Sequence, residues 1–208
     1  MGDNEMASSV VNVGYDSTNY YVIAGSHSAG LLVDCGWPGT MGKLKNQLRR
    51  KGIEFKGVKY LLVTHYHPDH AGLTQELRNL GMHLLLMEAQ IPFVQLLKSY
   101  MKPDSGYVEI EVGGTQILTP EDSRTFLVRI GIEGEIIPTP GHSPDSVSLI
   151  LDNGIAFTGD LTHEQLLPDD DTTCRESWRR VFAHGVTRVY PAHGPTHERQ
   201  NFVRRDGP

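Results

Sequence analysis

The sequence predicts a mixed α/β fold, in the broad sense that includes α+β, within a single domain spanning residues 1–208. Short apolar runs typical of strands alternate along the chain with amphipathic segments typical of helices. The 208 residues are 38% hydrophobic and 21% charged, the composition of a globular protein with one full core. Metal-type side chains follow several of the predicted strands directly, so the same pattern also indicates a functional site.

The first half of the chain is predicted to alternate strands and helices. Strands are expected over 20–24, 31–34, 59–64 and 83–86, and helices over 41–50, 69–80 and 93–100. A Gly- and Ser-rich turn over 25–28 joins the first two strands. The dense basic stretch from Lys43 to Lys51 is interpreted as the solvated face of a helix whose other face carries Met41, Leu44 and Leu48.

The second half is predicted to be richer in strands. Residues 103–135 contain Gly113-Gly114 and the β-prone run 125–130, and we expect a hairpin or a mobile cover there. Three apolar segments follow at 136–137, 147–151 and 155–157, and the turn 152–154 makes a hairpin of the last two. A helix over 175–183 and a strand over 186–190 complete the pattern, and the polar tail after His197 is expected to fray.

Composition and charge exclude several classes of partner. The formal net charge is -6, and Lys and Arg are scattered rather than massed along one track, so no nucleic-acid partner is expected. No stretch approaches the ~20 apolar residues that cross a bilayer, and residues 1–6 lack the apolar region of a secretory signal. Cys35 and Cys174 make no disulfide framework and are interpreted as buried thiols of a cytoplasmic protein, whose oligomeric state is left open.

The clearest chemical signal is a run of six residues that combines three imidazoles and a carboxylate: His65, Tyr66, His67, Pro68, Asp69 and His70. The run follows the apolar strand 59–64 and leads into a helix, so its side chains lie on a loop at a strand end. Pro68 is expected to stiffen this loop. Imidazole and carboxylate groups at this density indicate a metal site.

Three later segments repeat one arrangement, in which a strand or extended segment ends and a metal-type residue follows at once. These segments deliver His142, Asp160 and His193, and a glycine lies next to each of them. A glycine lets the backbone turn tightly and approach a neighbour closely. A single His or Asp at a strand end is more often a capping residue, but three of them beside the first run predict one shared site.

Taken in order, these motifs resemble those of the metallo-β-lactamase superfamily of metallohydrolases. The resemblance covers nearly the whole chain and lies in residues 32–34, 65–70, 139–142, 158–160 and 191–194. It implies an αββα sandwich, with two sheets packed face to face between helices and a dinuclear metal site at one edge. In that site one metal would be held by His65, His67 and His142, the other by Asp69, His70 and His193, with Asp160 bridging both.

The ligand types agree with two divalent metal ions. Imidazole and carboxylate without thiolate suit zinc, which is the first choice, and also iron, manganese or cobalt. Two such ions ~3.5 to 4 Å apart lower the pKa of a shared water and present hydroxide as a nucleophile at neutral pH. We therefore expect a metal-dependent hydrolase acting on an ester, lactone or thioester of a small molecule, with Asp69 and Asp160 as catalytic residues.

His163 is the third predicted catalytic residue, because it lies three positions after Asp160. In the acyl-homoserine-lactone lactonases, which belong to the same superfamily, this position carries a tyrosine that contacts the substrate. His163 or its neighbour Glu164 would donate a proton at the rim of the metal site. A solvated polar pair on a loop is an equally weighted alternative.

Several further residues have a more ordinary interpretation. By the resemblance, Asp34 would lie beneath the ligand loop and orient a histidine or the loop backbone. The remaining histidines are interpreted as structural or surface residues: His27, His83, His184 and His197. Four aromatic residues are candidates for an apolar substrate wall, although core packing is favoured for each of them: Tyr15, Trp37, Phe93 and Tyr100.

Departures from the named branches of the superfamily narrow the reaction. The true zinc β-lactamases that share the first motif lack a bridging aspartate, so Asp160 disfavours antibiotic hydrolysis. Two alternatives stay open: phosphodiesterase-type hydrolysis by the same metal pair, and mono-iron redox chemistry such as that of the persulfide dioxygenases. A degenerate scaffold is disfavoured because every predicted ligand is present.

Overall fold

The computed structural model describes residues 9–25 and 29–199. Four sequence-based expectations lie wholly or partly outside this range: the turn over 25–28, the surface role of His27, the character of residues 1–6 and the fraying of the tail. Within the described residues, two β-sheets stack against each other with helices on their outer faces.

The first sheet has six strands in the order β1-β2-β3-β4-β5-β6. The strands are β1 (Val10–Asn12), β2 (Tyr21–Ala24), β3 (Gly30–Val33), β4 (Val58–Leu62), β5 (His83–Met87) and β6 (Gln116–Leu118). The pairs β1–β2 and β2–β3 are antiparallel, and the pairs from β3 to β6 are parallel. The outer face of this sheet is covered by α1 (Met41–Arg50), α3 (Thr74–Asn79) and α4 (Ile91–Leu96), the last continued by a 3₁₀ turn (Leu97–Tyr100).

The second sheet has five strands in the order β11-β10-β9-β8-β7. The strands are β7 (Gly134–Pro138), β8 (Val147–Leu151), β9 (Ile155–Gly159), β10 (Arg188–Pro191) and β11 (His197–Glu198). The pair β9–β10 is parallel and the others are antiparallel. Helix α6 (Thr172–Ala183) covers its outer face, where Trp178 and Val181 pack against Ile150 and Val189.

The core between the sheets follows from the two-residue period of the strands. In β3, Leu31 and Val33 point into the space between the sheets, while Leu32 faces the outer helices. Phe157 from β9 meets them from the second sheet, and α5 (Pro120–Arg129) adds Phe126 at one side. These layers form an αββα sandwich, which confirms the predicted fold class.

The helix predicted over 69–80 is interrupted. The chain forms α2 (Pro68–Ala71) and then α3, with a break at Gly72 and Leu73. The carbonyl of His70 accepts a hydrogen bond from the Cys35 amide at 2.8 Å instead of from a later turn of its own helix. The break is thus caused by a contact with the segment after β3, and Pro68 begins α2 as expected.

The hairpin that was one of two expectations for residues 103–135 is wrong, while the alternative of a mobile cover stays a prediction. This segment holds the short strand β6 and the ten-residue helix α5, which includes residues 125–129 of the β-prone run. Thr119 caps α5 by accepting a hydrogen bond from the Asp122 amide at 3.2 Å, and Pro120 occupies the first helical position. This combination is a standard helix start, and it outweighs the β-branched residues of the run.

The other predicted elements are present, and their ends differ from the prediction by three residues or fewer. The basic stretch lies on α1, whose buried residues are Leu44 and Leu48, so its interpretation as a solvated face is confirmed. Strands β1 and β11 have three and two residues, too short to be recognised from their pattern. None of the helices among the described residues is long and apolar enough to cross a membrane.

Candidate metal centre

Four loops meet at one edge of the sandwich and bring all seven predicted ligands together. The first loop follows β4 and carries His65 to His70, while the others follow β7, β9 and β10 and carry the remaining ligands. Strand β4 belongs to the first sheet and the other three strands to the second. The site therefore lies across the seam between the sheets, on rigid strand ends.

The first cluster consists of three imidazoles. The Nδ1 atom of His67 lies 3.1 Å from His65 Nε2 and 3.1 Å from His142 Nε2. The Nδ1 atom of a neutral imidazole has either one N–H or one lone pair, so His67 can make a good hydrogen bond to only one of these two neighbours. The three ring nitrogens lie close enough together to hold one cation.

The second cluster consists of Asp69, His70 and His193. The Asp69 Oδ2 atom lies 3.2 Å from His193 Nε2 and 3.5 Å from His70 Nε2. His70 is fully buried, whereas His193 is partly exposed. This cluster combines one carboxylate with two imidazoles, a set that suits the same metals as the first.

Asp160 lies between the two clusters and directs a different carboxylate oxygen toward each of them. Its Oδ2 atom is 3.5 Å from His142 Nε2 and 4.0 Å from His65 Nε2. Its Oδ1 atom is 3.3 Å from His70 Nε2 and 3.4 Å from His193 Nε2. This is the geometry of a carboxylate that can bridge two metal positions.

Hydrogen bonds on the far side of two rings determine which nitrogen faces the centre. The Nδ1–H of His70 donates to Asp34 Oδ2 at 2.9 Å, and the Nδ1–H of His193 donates to the Ser17 carbonyl at 2.8 Å. Because each acceptor requires the proton on Nδ1, the neutral form of each ring presents the lone pair of its Nε2 toward Asp69 and Asp160.

Two buried ligand atoms without hydrogen-bond partners test whether these residues fit a metal ion. His70 Nε2 and Asp160 Oδ1 are buried and have no hydrogen-bond partner among the described residues. Their separation of 3.3 Å exceeds an ordinary hydrogen bond, whereas ligand atoms on a tetrahedral zinc ion lie about 3.3 Å apart, given zinc–nitrogen bonds of about 2.0–2.1 Å. A shared cation therefore accounts for both buried atoms.

The electrostatics of the pocket prepare most ligands in the protonation state that metals require. Burial and the neighbouring histidines lower the pKa of His65, and burial also lowers the pKa of His67. Burial alone would raise the pKa of Asp69, but its interactions with His70 outweigh that effect and lower it to about 2. The same balance lowers the pKa of Asp160. Neutral imidazoles and ionised carboxylates are the forms that bind metal.

His70 is the exception, because its pKa is raised whereas those of His65 and His67 are lowered. Burial would lower the pKa of His70, but the negative charge of Asp34 and contacts with Asp160 and Asp69 raise it well above its usual value. The field that favours a proton on Nε2 equally favours a metal cation at that place, and metal binding would displace the proton.

Asp34 holds the ligand loop from below. Its Oδ1 atom accepts the Thr64 amide at 2.8 Å, and its Oδ2 atom accepts the Thr64 hydroxyl at 2.9 Å in addition to His70. The side chain is buried and its residue adopts a positive φ of 59°. Asp34 thus orients both a histidine and the loop backbone, the two roles that the resemblance implied.

Gly159 shows why a glycine precedes the bridging aspartate. Its φ is +55°, and a Cβ atom there would lie 2.5 Å from the Thr64 hydroxyl oxygen. Any larger residue would push β9 away from the ligand loop and displace Asp160.

Two supporting residues were missed by sequence reasoning. Gln90 is fully buried, and its Nε2 atom donates to the carbonyls of Val63, Thr64 and Asp145. Asp145 accepts the Tyr66 amide at 2.8 Å. The polar run of residues 143–146 between apolar segments was the available signal for Asp145, whereas nothing in the sequence marks Gln90.

Two cavities open beside the ligands. One, of about 470 Å³, is lined by His142, Asp160, His163, His193 and His197 together with apolar residues such as Leu166. The other, of about 310 Å³, is lined by His67, His142, Phe93, Leu96 and Tyr100. His163 therefore shares a cavity with the metal centre, as its predicted role requires.

The remaining residue predictions concern the four aromatic residues, the two cysteines and His197. Phe93 and Tyr100 line a cavity as wall residues would, while Tyr15 is buried in the core and Trp37 is exposed. Cys35 and Cys174 are free, buried thiols as expected, and burial raises the pKa of Cys35 to about 12. His197, predicted to be a structural or surface residue, lies beside Glu164.

The sequence profile described as the Metallo-beta-lactamase superfamily matches residues 13–193, a range that includes all seven predicted ligands. The chain belongs to this superfamily, whose members are generally hydrolytic enzymes that bind metal ions. The predicted family resemblance is thereby confirmed.

Relatives support the same assignment. The chain is 30% identical over 184 residues to the lactamase-like protein nscB of Trichophyton rubrum, covering 85% of this chain and 49% of that protein. It is 29% identical over 153 residues to the probable metallo-hydrolase YflN of Bacillus subtilis, covering 65% of this chain and 57% of that protein. The chain thus spans about half the length of these relatives.

Solved structures share the fold. The BLEG-1 B3 metallo-β-lactamase superposes with a TM-score of 0.69 at 24% identity, covering 92% of this chain and 94% of that chain. The metallo-β-lactamase family protein TTHA1429 of Thermus thermophilus gives 0.68 at 20% identity, covering 92% and 74% respectively. At these identities the likeness concerns the fold.

Proposed function

We propose that this protein is a dinuclear metal-dependent hydrolase that cleaves an ester, lactone or thioester of a small molecule. The observation that carries the proposal is the position of Asp160, with one carboxylate oxygen toward each ligand cluster. A carboxylate placed in this way has a clear use if both clusters hold a metal ion.

The ligand assignment follows the two clusters. One ion would be held by His65, His67 and His142, the second by Asp69, His70 and His193, and Asp160 would bridge them. Two divalent ions, with zinc as the first choice and iron or manganese as alternatives, supply a water-derived nucleophile at neutral pH and polarise the bond under attack.

The chain's own residues handle the proton. Asp69 is ionised at neutral pH because its pKa is lowered to about 2, and its side chain is 18% exposed. It can accept a proton from the attacking water and pass it to the leaving group. His163 lines the cavity next to Asp160 and is 32% exposed, which is where an assisting proton donor would lie.

The cavities favour an acyl substrate with an apolar part. Leu161, Leu166 and Pro195 line the larger cavity, while Phe93 and Tyr100 line the smaller one. The name of YflN as a probable metallo-hydrolase agrees with hydrolysis in general. That name does not distinguish the hydrolysis of carboxylic esters from that of phosphodiesters, so the two classes of substrate must be compared directly.

A substrate panel tests the proposal. Metal-loaded protein would be incubated with lactones, thioesters, simple esters, phosphodiesters and a persulfide, and kcat/KM would be measured for each. We expect the carboxylic substrates to exceed the phosphodiesters by about 10²-fold or more, because both ions and the apolar walls surround a small acyl group. Turnover of phosphodiesters alone, or oxygen consumption with the persulfide, would replace this function by one of the two alternatives.

A further inference from the structure

We propose that His163, Glu164 and His197 form a third metal site, separate from the dinuclear centre, which binds a zinc-like divalent ion. The three ligands are two imidazoles and one carboxylate, a set that catalytic zinc sites use with a fourth position left open. None of the three belongs to the seven ligands of the dinuclear centre.

The distances among the three side chains support a shared ion. Glu164 Oε2 lies 3.5 Å from His163 Nδ1 and 3.6 Å from His197 Nε2. One potential ligand atom from each residue lies within 4.8 Å of the others. Separations of this size are too long for hydrogen bonds but close to the ~3.3 Å between ligand atoms of a tetrahedral zinc ion. The proposed ligands of the dinuclear centre show spacings in the same range, from 3.1 to 4.0 Å.

Burial provides a second, independent observation. The side chain of Glu164 is only 9% exposed, and its Oε2 atom is buried with no hydrogen-bond partner among the described residues. His197 Nε2 is also buried and has no hydrogen-bond partner among the described residues. A carboxylate withdrawn from water costs several kcal/mol unless a cation compensates it, and an ion between these atoms would compensate both at once.

The tautomer of His163 is already the one that can bind a metal ion through Nδ1. The Gln165 amide donates to His163 Nδ1 at 3.2 Å, so Nδ1 carries no proton and presents a lone pair. A metal ion would replace this long hydrogen bond, and His163 would then hold the ion instead of donating a proton during hydrolysis. The rings of His163 and His197 lie 4.2 Å apart between centroids, which brings them to the same carboxylate.

The fold explains how the site arises. His163 and Glu164 follow β9 three and four positions after Asp160, and His197 opens β11 four positions after His193. The two loops that supply Asp160 and His193 therefore supply the second set as well. His163 and His197 line the same cavity as the dinuclear ligands, so the open position is available to water or to an anionic group of a molecule bound there.

Metal content tests the site without reference to hydrolysis. Purified protein would be equilibrated with about a tenfold molar excess of zinc, freed of unbound metal and analysed by native mass spectrometry. We expect one zinc ion fewer per chain in His197→Gln and in Glu164→Gln than in the wild type. His83→Gln, which alters an exposed histidine at the start of β5, is the matched control and should retain the wild-type content.

Two results would overturn the proposal. The first is equal zinc content in the wild type and in both variants, which would identify the cluster as an ion pair without metal. The second is the absence of an anomalous zinc-edge peak between these three side chains in crystals grown with zinc. Both readouts count or locate metal, so failure of the proposed hydrolytic function would leave this inference intact, and failure of this inference would leave the dinuclear centre intact.

Discussion

Asp160→Asn is expected to lower kcat/KM by roughly 10³-fold or more and to reduce the metal content of the dinuclear centre. Asparagine keeps the shape of the side chain but replaces one anionic oxygen by an NH₂ group, which has no lone pair for a cation. Since each oxygen of Asp160 faces a different cluster, the substitution would remove one of the two proposed metal contacts whichever way the amide is turned.

The matched control for this substitution is Asp152→Asn at the opposite end of the same strand. Asp152 precedes β9, is 44% exposed and pairs with Arg124 at 2.8 Å. An exposed ion pair of this kind contributes little, so the control should retain wild-type kcat/KM within about twofold. Equal losses in the two variants would contradict the bridging role of Asp160.

Asp34→Asn is expected to weaken metal binding by about 10- to 100-fold and to lower the free energy of unfolding by about 2–4 kcal/mol. The buried carboxylate accepts hydrogen bonds from the Thr64 amide, the Thr64 hydroxyl and His70 Nδ1. An amide group can accept at only one atom, so at least one of these donors would be left facing an NH₂ group. Where the amide nitrogen takes the position of Oδ2, His70 loses the partner that directs its Nε2 toward the candidate metal centre.

Asp16→Asn is the control that isolates this effect. Asp16 also has a positive φ, of 56° against 59° for Asp34, so both substitutions place asparagine in the same backbone region, which it tolerates well. Asp16 is exposed, and its ion pair within the described part of the chain is with Lys43 at 2.7 Å. Denaturant unfolding and zinc titration of both variants separate the two cases, and similar behaviour would show that Asp34 does not support the ligand loop.

The meeting of the seven candidate ligands could be predicted from the sequence because each lies in a loop that follows a strand. The loop after β4 contains His65 and His70 within six residues, and short motifs mark His142, Asp160 and His193. The order of these motifs also indicated the family, from which the αββα layers followed. Local patterns were sufficient where the function depends on residues close together in the chain.

Contacts between distant segments could not be predicted in this way. The break after α2 depends on a hydrogen bond from Cys35 to His70, and the ligand loop depends on Gln90, which is 25 positions from His65 and carries no motif. The proximity of His197 to Glu164 arises only when β11 pairs with β10 beside β9. In α5, the local signal was present at Thr119 and Pro120, but the β-branched residues were given too much weight.

Metal removal tests the central claim most directly. Protein depleted with a chelator would be titrated with zinc while hydrolysis of the best substrate of the panel is followed. The dinuclear account predicts no hydrolysis in the depleted protein, because the nucleophile and the polarisation of the bond both require the metals, and recovery of activity as zinc is restored. Hydrolysis that continues at the original rate after complete metal removal would contradict it.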